Sequence, residues 1–443
     1  MIIDRGMQHS SRLAVIMITL LMGVQLCAAD RGGIVGLKDV NIQEPAQRAI
    51  IAFNGFEEII ILQTDVVADR ETKVVEFMPL PSKPKVSLAN EGCFATLQDL
   101  LTKHNVRFIM QAKAAAANAV EEAEPVKVVI SAQLGPHDLT VVELRKSDGF
   151  SRWVEDFFRE KGLGQPVVTD DLSQLVDDYC GRSFYFFAFD VVTLSPQKTT
   201  VQPLSYEFKT DHLYYPLKVT NLYGGSDTIE LFTLLPPGLC LNEHFDKVYY
   251  FGLKGSRNKW SKRLSTTATL AQEEMSKLHP SIPSLLGDSI GILQLTKMEG
   301  PTARFDRDGW IPWYYIDSKV LGQRFYNALQ AGKLEVIERL VNVPFGFNRE
   351  RTITDKHELM RKFAEHSQAG GLTKHGSLDT SVNPAESFTF ENEDDRAFVH
   401  EQCQGQSRRI DVVEITADDE RILVFVAYRR GSGVCHVVGF SYR

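Results

Sequence analysis

"RAIIAFNGFEEIIILQT", Arg48 to Thr64, decides how the chain starts to fold. Two runs of β-branched and aromatic residues flank Asn54-Gly55, the dipeptide best suited to a two-residue type I′ turn, in which both residues need φ > 0. The spacing predicts a hairpin with strands Arg48–Phe53 and Phe56–Thr64. A third strand, "TKVVEFM", follows and runs into "PLPSKP", Pro79 to Pro84. Repeated prolines supply no ladder donors there, which implies an extended loop.

Working outward, apolar spacing predicts a helix over Phe94–Asn105. Strands are expected at Val126–Ala132 and Leu139–Leu144, with the Ala/Glu-rich stretch Ala112–Pro125 before them read as a solvated helix end or a loop. A strongly amphipathic helix should begin at Asp148 as N-cap. Its stripe of Phe150, Trp153, Val154, Phe157 and Phe158 at i, i+3, i+4, i+7 and i+8 reads as core. "DDLSQLVDDYCG" repeats the pattern, with its Asp177 and Asp178 read as helix-surface charge. Ser183–Leu194 reads as a buried strand, Leu217–Leu235 as a hairpin turning near Gly224-Gly225, and Ser289–Met298 as a further strand.

The pattern changes after "GPTARFDRDGWIPWYYID", Gly300 to Asp317. A helix, a break at Gly332 and a second helix ending at Pro344 come next, then a third helix over Thr354–His366. A polar stretch to about Asp394 precedes three strands, "RIDVVEIT", "ERILVFVAY" and "VCHVVGFSY". Helices followed by an antiparallel meander imply α+β. The fold class expected is therefore α+β: a β-rich first domain with antiparallel hairpins and a few helices over 30–300, a linker over 301–317, and a smaller α+β domain over 318–443.

Length and charge narrow the function. With 443 residues, more than one domain is expected. A formal net charge of −8 excludes a phosphate-binding footprint, so no nucleic-acid partner is expected. Residues 1–29 read as a secretory signal: Arg5 and Arg12, an apolar run from Leu13 to Leu26 too short to span a bilayer comfortably, then "CAA". Cleavage after Ala29 would place the protein outside the cytoplasm, secreted or periplasmic. Two other readings stay open, an uncleaved anchor and a lipoprotein cysteine at Cys27. No later apolar run is long enough to cross a membrane as a helix. Five cysteines follow the signal, with no C-x-x-C spacing, and read mostly as buried thiols; Cys403 with Cys435 is the one pair worth testing as a disulfide.

Motifs for chemistry are sparse. "GDSIG" places Ser289 in a G-x-S-x-G pattern, but a nucleophile elbow needs a strand before the serine and a helix after it, and here the order is reversed. Asp306 and His357 follow in the order a triad would need, as they would in most chains this long. "DRDG", Asp306 to Gly309, lacks the sixth-position glycine and twelfth-position glutamate of a calcium loop and reads as a surface turn. His357, His366 and His375 form the one histidine cluster. The first two lie nine residues apart on one helix, without the i, i+4 spacing of paired ligands, and read as solvated. No catalytic, cofactor-binding or metal residue is assigned, and no cofactor is expected. In the doublets Tyr214-Tyr215 and Tyr249-Tyr250, and in Trp313-Tyr314-Tyr315, alternation on a strand would turn one residue of each pair outward.

Several landmarks in order, "RAIIAFNGFEEIIILQT", "VEFMPLPSKPKV", "GPHDLTVVELRKSDGFSRWVEDFFREKG", "LVDDYCGRSFYFFAFDVV" and "YEFKTDHLYYPLKVTNL", resemble an exported bacterial and archaeal family catalogued as domain of unknown function twenty-three thirty. The resemblance runs from about Asp30 to Met298 and implies no activity, cofactor or site residue. The last part of the chain, with "YNALQAGKLEVIERLVNVPF" as an opening helix pair, is similar to the nuclear-transport-factor-two-like (cystatin-like) α+β cone. That fold serves both enzymes and association modules.

The reading is an exported, non-catalytic binding or structural component of the cell envelope, with an envelope protein or glycan as the partner class. Its rival is a small-molecule-binding enzyme with its pocket in the last domain. An acidic residue or histidine facing a deep cavity there would favour the enzyme. On export, protein recovered from the envelope or medium should begin at Asp30 when its N-terminus is sequenced; an intact Met1 there overturns the cleavage reading.

Overall fold

The computed structural model describes residues 33–35, 37, 42–109, 124–146, 149–194, 199–200, 202–222, 226–241, 261–287, 290–301, 307–348, 351–368, 379–406, 409–417, 420–428 and 434–442. The protein is α+β and rich in strand. It divides into two compact units. The first gathers the chain up to Phe53, Glu57–Leu234 and His244–Trp310; the second gathers Asn54–Phe56, Leu235–Glu243 and Ile311–Arg443.

Two sheets organise the first unit. In one of ten strands, the hairpin strands Ile42–Phe53 and Glu57–Ala68 pair antiparallel, Ile50 opposite Ile61 and Phe53 opposite Glu58. Ser226–Leu235 adds to the same edge in parallel. Three helices, α1 (Cys93–Lys103), α4 (Gln272–Leu278) and α5 (Ile282–Leu286), lay Leu97, Met275, Leu278 and Ile282 on its face against Ile50, Ile59 and Phe232. At roughly 1.5–3 kcal/mol for each large side chain buried, this face holds the helices in place. An ionic clasp supports the packing. Glu274 on α4 takes Lys103 Nζ at 2.6 Å, His104 Nε2 at 2.9 Å and the Ala271 N–H at 2.8 Å. These contacts hold its carboxyl down at about 2.

The second sheet of this unit has five strands, in the order Gly33–Val35, Thr72–Leu80, Phe186–Leu194, His137–Arg145 and Glu124–Leu134. α2 (Phe150–Glu160) packs its aromatic stripe on Phe189, whose ring centre lies 4.7 Å from Trp153, 6.1 Å from Phe157 and 6.3 Å from Phe150. Gly149, at φ 97°, is the N-cap of α2; Asp148, expected in that role, lies outside the described residues. α3 (Asp170–Gly181) is capped by Thr169, whose side chain accepts from the Leu172 N–H.

The second unit packs helices on an eight-stranded sheet. α6 (Ser318–Gln330) ends at Gly332, which has φ 62°, and α7 (Leu334–Leu340) follows. α8 (Lys356–Gln368) joins α6 around a phenylalanine cluster in which Phe363 lies 5.9 Å from Phe325 and 5.9 Å from Phe440. The closing meander Ile410–Ala417, Glu420–Tyr428 and Cys435–Tyr442 is antiparallel, as its alternation implies.

The structure corrects several expectations. Leu217–Leu235 is not one hairpin: Lys218–Leu222 is a 3₁₀ turn, because the Lys218 N–H binds the Asp308 carboxylate rather than a strand partner. The Gly224-Gly225 turn lies outside the described residues. α7 stops at Leu340, and Pro344 sits in a strand, Val341–Phe347, where the register against Cys435–Tyr442 shifts between Val341 and Gly346; such an irregularity tolerates a missing N–H. The polar stretch near Asp394 opens another helix, α9 (Glu393–Gln406). Cys435 is a free thiol that donates to the Tyr315 carbonyl at 3.2 Å, so it makes no disulfide with Cys403, whose side chain is outside the described residues.

The opening turn differs as well. Gly55 has φ 94°, but Asn54 is not in the left-handed region, so the turn is not type I′. Instead Asn54 Oδ1 accepts the Phe56 N–H at 2.8 Å, an Asx closure that replaces the backbone one. Phe56 then stands edge-on to Trp313 at 5.5 Å, and a Cβ on Gly55 would meet the Trp313 ring at 3.0 Å. Arg324 and Arg339 donate to the Asn54 and Gly55 carbonyls at 2.8 and 3.3 Å. Gly55→Val therefore meets both a backbone penalty and a ring clash, and should cost about 1–3 kcal/mol, read from the urea midpoint. An unchanged midpoint would contradict this account of the loop.

Candidate functional site

Strand alternation and two glycines build a half-open polar-and-aromatic cavity in the second unit. Gly346 and Gly439 face each other on adjacent parallel strands. A Cβ on either would meet the Phe398 ring at 3.0 Å, so this ring from α9 settles onto bare backbone that any side chain would lift it from. Phe398 also stands 6.0 Å from Phe425, with the two rings tilted by 37°. Asn392 starts α9 by accepting the N–H groups of Asp394 and Asp395 at 2.7 and 3.2 Å. Helical spacing then sets Asp394, Ala397, Phe398 and Glu401 on one face, at i, i+3, i+4 and i+7.

The resulting cavity holds about 250 Å³. Gly346, Phe398 and Phe425 form its apolar side, Asp394, Asp395 and Glu401 its acidic side, and Thr352 lines it as well. Phe347 and Phe440 also border it; the Phe347 ring is tilted against Phe363 at 5.1 Å and the Phe440 ring stacks on it at 5.9 Å. Asp395 is buried and accepts from the Ser441 hydroxyl at 3.0 Å. Asp394 and Glu401 are exposed and have no Lys or Arg partner among the described residues. Among the described residues, no histidine, cysteine, serine or lysine lines the space.

Neither His357 nor His366 is among the described lining residues. His357 is exposed on α8. His366, on the same helix, is not solvated as expected. Its ring lies 5.6 Å from Tyr442 and about 6 Å from Phe347 and Phe440, within the phenylalanine cluster. His375 and Ser289 lie outside the described residues, as does Asp306. α5 precedes the strand Ile290–Pro301, so the chain around Ser289 runs helix then strand, the reverse of a nucleophile elbow.

The polar groups that sequence reasoning missed are buried in the first unit. Asp308, expected on a surface turn, is almost wholly enclosed. It accepts from Tyr179 Oη at 2.8 Å, from the Lys218 N–H at 2.9 Å and from Arg182 Nη1 at 3.0 Å. Burial disfavours the Arg182 charge, yet Asp308, Tyr179 and Asp178 together raise its proton affinity above the ordinary value. Burial, then Asp308, pushes the Tyr179 and Tyr214 phenols up. Tyr214 and Tyr215 both face inward, donating to the Pro79 carbonyl and to Gln47 Oε1, which corrects the expectation that one of them is exposed. Elsewhere His137 Nδ1 meets Asp190 Oδ2 at 2.5 Å while its Nε2 meets the Gln202 carbonyl at 2.7 Å. Glu76 is the register partner of Asp190 on the next strand. These groups join strands and helices. The visible signal was a lone acid inside an apolar run, such as Asp190 between Phe189 and Val191.

Among the described residues, no group of three or more His, Cys, Asp or Glu could hold a metal ion, and no helix is long and apolar enough to cross a membrane. Residues 26–236 match the model of a family described as an uncharacterized protein conserved in bacteria (DUF2330). The resemblance read as far as Met298 is thus matched to residue 236, and the cavity lies beyond the match. No curated protein matches the chain.

Glu58 offers a test of these buried networks. It is fully enclosed, and burial raises its carboxyl well above the usual range against the lowering effect of the Tyr214 N–H, which it accepts at 2.7 Å. The folded state therefore keeps a proton that the unfolded chain releases, and stability falls as pH rises above the unfolded glutamate value near ~4.3. Glu58→Gln keeps the acceptor and removes the titration. The stability of the variant relative to the parent should rise with pH by up to ~1.4 kcal/mol per unit; a pH-independent difference in denaturation midpoints would refute this.

Proposed function

We propose that this is an exported protein of the cell envelope whose second unit binds a small molecule without transforming it. The signal-like residues 1–29 support export. The helix-first order and closing meander of the second unit support the likeness to cystatin-like domains, a fold used for association as well as catalysis.

One observation carries the binding reading: the cavity between α9 and the Gly346–Thr352 hairpin is walled by rings and carboxylates and offers no nucleophile–base pair. The carboxylates give the enzyme reading its single support, since two acids can share general acid–base work. Against it, Asp395 is engaged by Ser441, and Asp394 and Glu401 are both exposed, so their surroundings do not separate an acid from a base.

The full chain can be titrated with a library of small fragments, with Ala397→Trp as the blocked control. Fragments should raise the melting temperature of the parent and not of the control, and should be recovered unchanged. A fragment that is converted, with conversion lost in Asp394→Asn or Glu401→Gln, would establish the enzyme instead. Fragments that bind parent and control alike would place binding elsewhere.

A further inference from the structure

We propose that the cavity under α9 takes a small organic cation, an amine or quaternary ammonium on a short apolar body. This rests on the binding reading of that cavity and adds the chemical class of the occupant.

Charge is the first argument. Among the described residues the lining contains Asp394, Asp395 and Glu401 and no cationic side chain, a set that disfavours an anionic ligand. Helix physics accounts for only part of that charge. Asp394 and Asp395 sit in the first turn of α9, where carboxylates are favoured by the helix dipole. Glu401 lies two turns further on, beyond the reach of that effect, yet it faces the same space.

The walls supply the second argument. Phe398 and Phe425 present ring surface, and the paired glycines Gly346 and Gly439 exist in a form that lets Phe398 lie close to the sheet. Aromatic faces attract cations whose hydration is weak, and alkylammonium groups are the common case. A neutral apolar ligand would cover the same rings, but it would strip water from carboxylates and return nothing.

Two more observations weigh against a metal and set the size. A divalent cation needs oxygen ligands converging at about 2.0–2.6 Å, and no such group is found among the described residues. One carboxylate of the three is already engaged by Ser441. The volume, about 250 Å³, lies just below the ~300 Å³ at which ordinary small-molecule pockets begin, which suits a compact ammonium better than a nucleotide or sugar chain.

Calorimetric titration of the full chain tests this with four probes: tetramethylammonium, butyltrimethylammonium, tert-butyl alcohol as a neutral near-isostere of tetramethylammonium, and calcium. The two ammonium probes should bind, with affinity falling as salt is added and butyltrimethylammonium the tighter. Glu401→Gln, an exposed and conservative change, should weaken them about 3- to 5-fold. Phe398→Leu should weaken them about 5-fold, with far-ultraviolet dichroism confirming its fold. Equal binding of the neutral isostere, unaffected by Glu401→Gln, would overturn the cation class and leave a binding cavity standing. Calcium binding that displaces the ammonium would overturn it in favour of a metal site. If no probe binds, the proposal fails, and the fragment titration with its Ala397→Trp control decides separately whether the cavity binds anything.

Discussion

A carboxylate without water must be fully occupied by donors, and Asp308 shows how much structure one such demand can organise. Its three donors come from the end of α3, from the residue that follows α3 and from the start of the 3₁₀ turn at Lys218. Each is fixed in place by the others. Arg182 can sit flat against Tyr179 and Phe184, at 4.6 and 5.1 Å, because its charge is answered by Asp308 and Asp178. Phe184 and Tyr214 then hold Trp310 between them, and His212 stacks on its far side. An aromatic layer is in this way ordered by one acid, and the strand Leu213–Tyr215 turns its side chains inward because that layer receives them.

What the sequence made legible follows the reach of local physics. The aromatic stripe of α2, the inward strand Phe186–Leu194 and the closing meander are each fixed by the spacing of apolar residues, and they stand where that spacing puts them. The Asn54-Gly55 turn was visible as a turn but not as to type, because its geometry depends on Phe56 finding Trp313, far away in sequence. α9 was missed for a related reason. It opens with Glu393, Asp394 and Asp395 and offers Phe398 and Val399 as its buried apolar residues, too few to make a stripe. The cavity shares its fate, since its walls come from α9 and from strands widely separated along the chain, and nothing in a linear reading brings Gly346 opposite Gly439.

The two faces of the second unit's sheet divide the labour. On one, α6 and α8 close over a dense group of phenylalanines in which Phe325, Phe345, Phe363 and Phe440 touch in turn. His366 is part of that packing, which removes it from any role at the cavity. On the other, α9 covers a thinner apolar layer formed with Val412, Phe425 and Val438 and leaves room beside it. Dense packing on one face lets the other stay open without loss of the sheet, a division common where a rigid framework carries a binding surface.

His137 and Asp190 bear on how this sequence can change over time. Both ring nitrogens of the histidine face acceptors, and the aspartate is nearly sealed within the five-stranded sheet. Losing either partner takes a short buried contact from the other, and a buried polar group deprived of a partner costs more than the pair itself contributes. Replacing both together by apolar residues of matching size carries no such penalty. A matched change at the two positions, fifty-three residues apart, therefore disturbs the sheet less than a change at either alone.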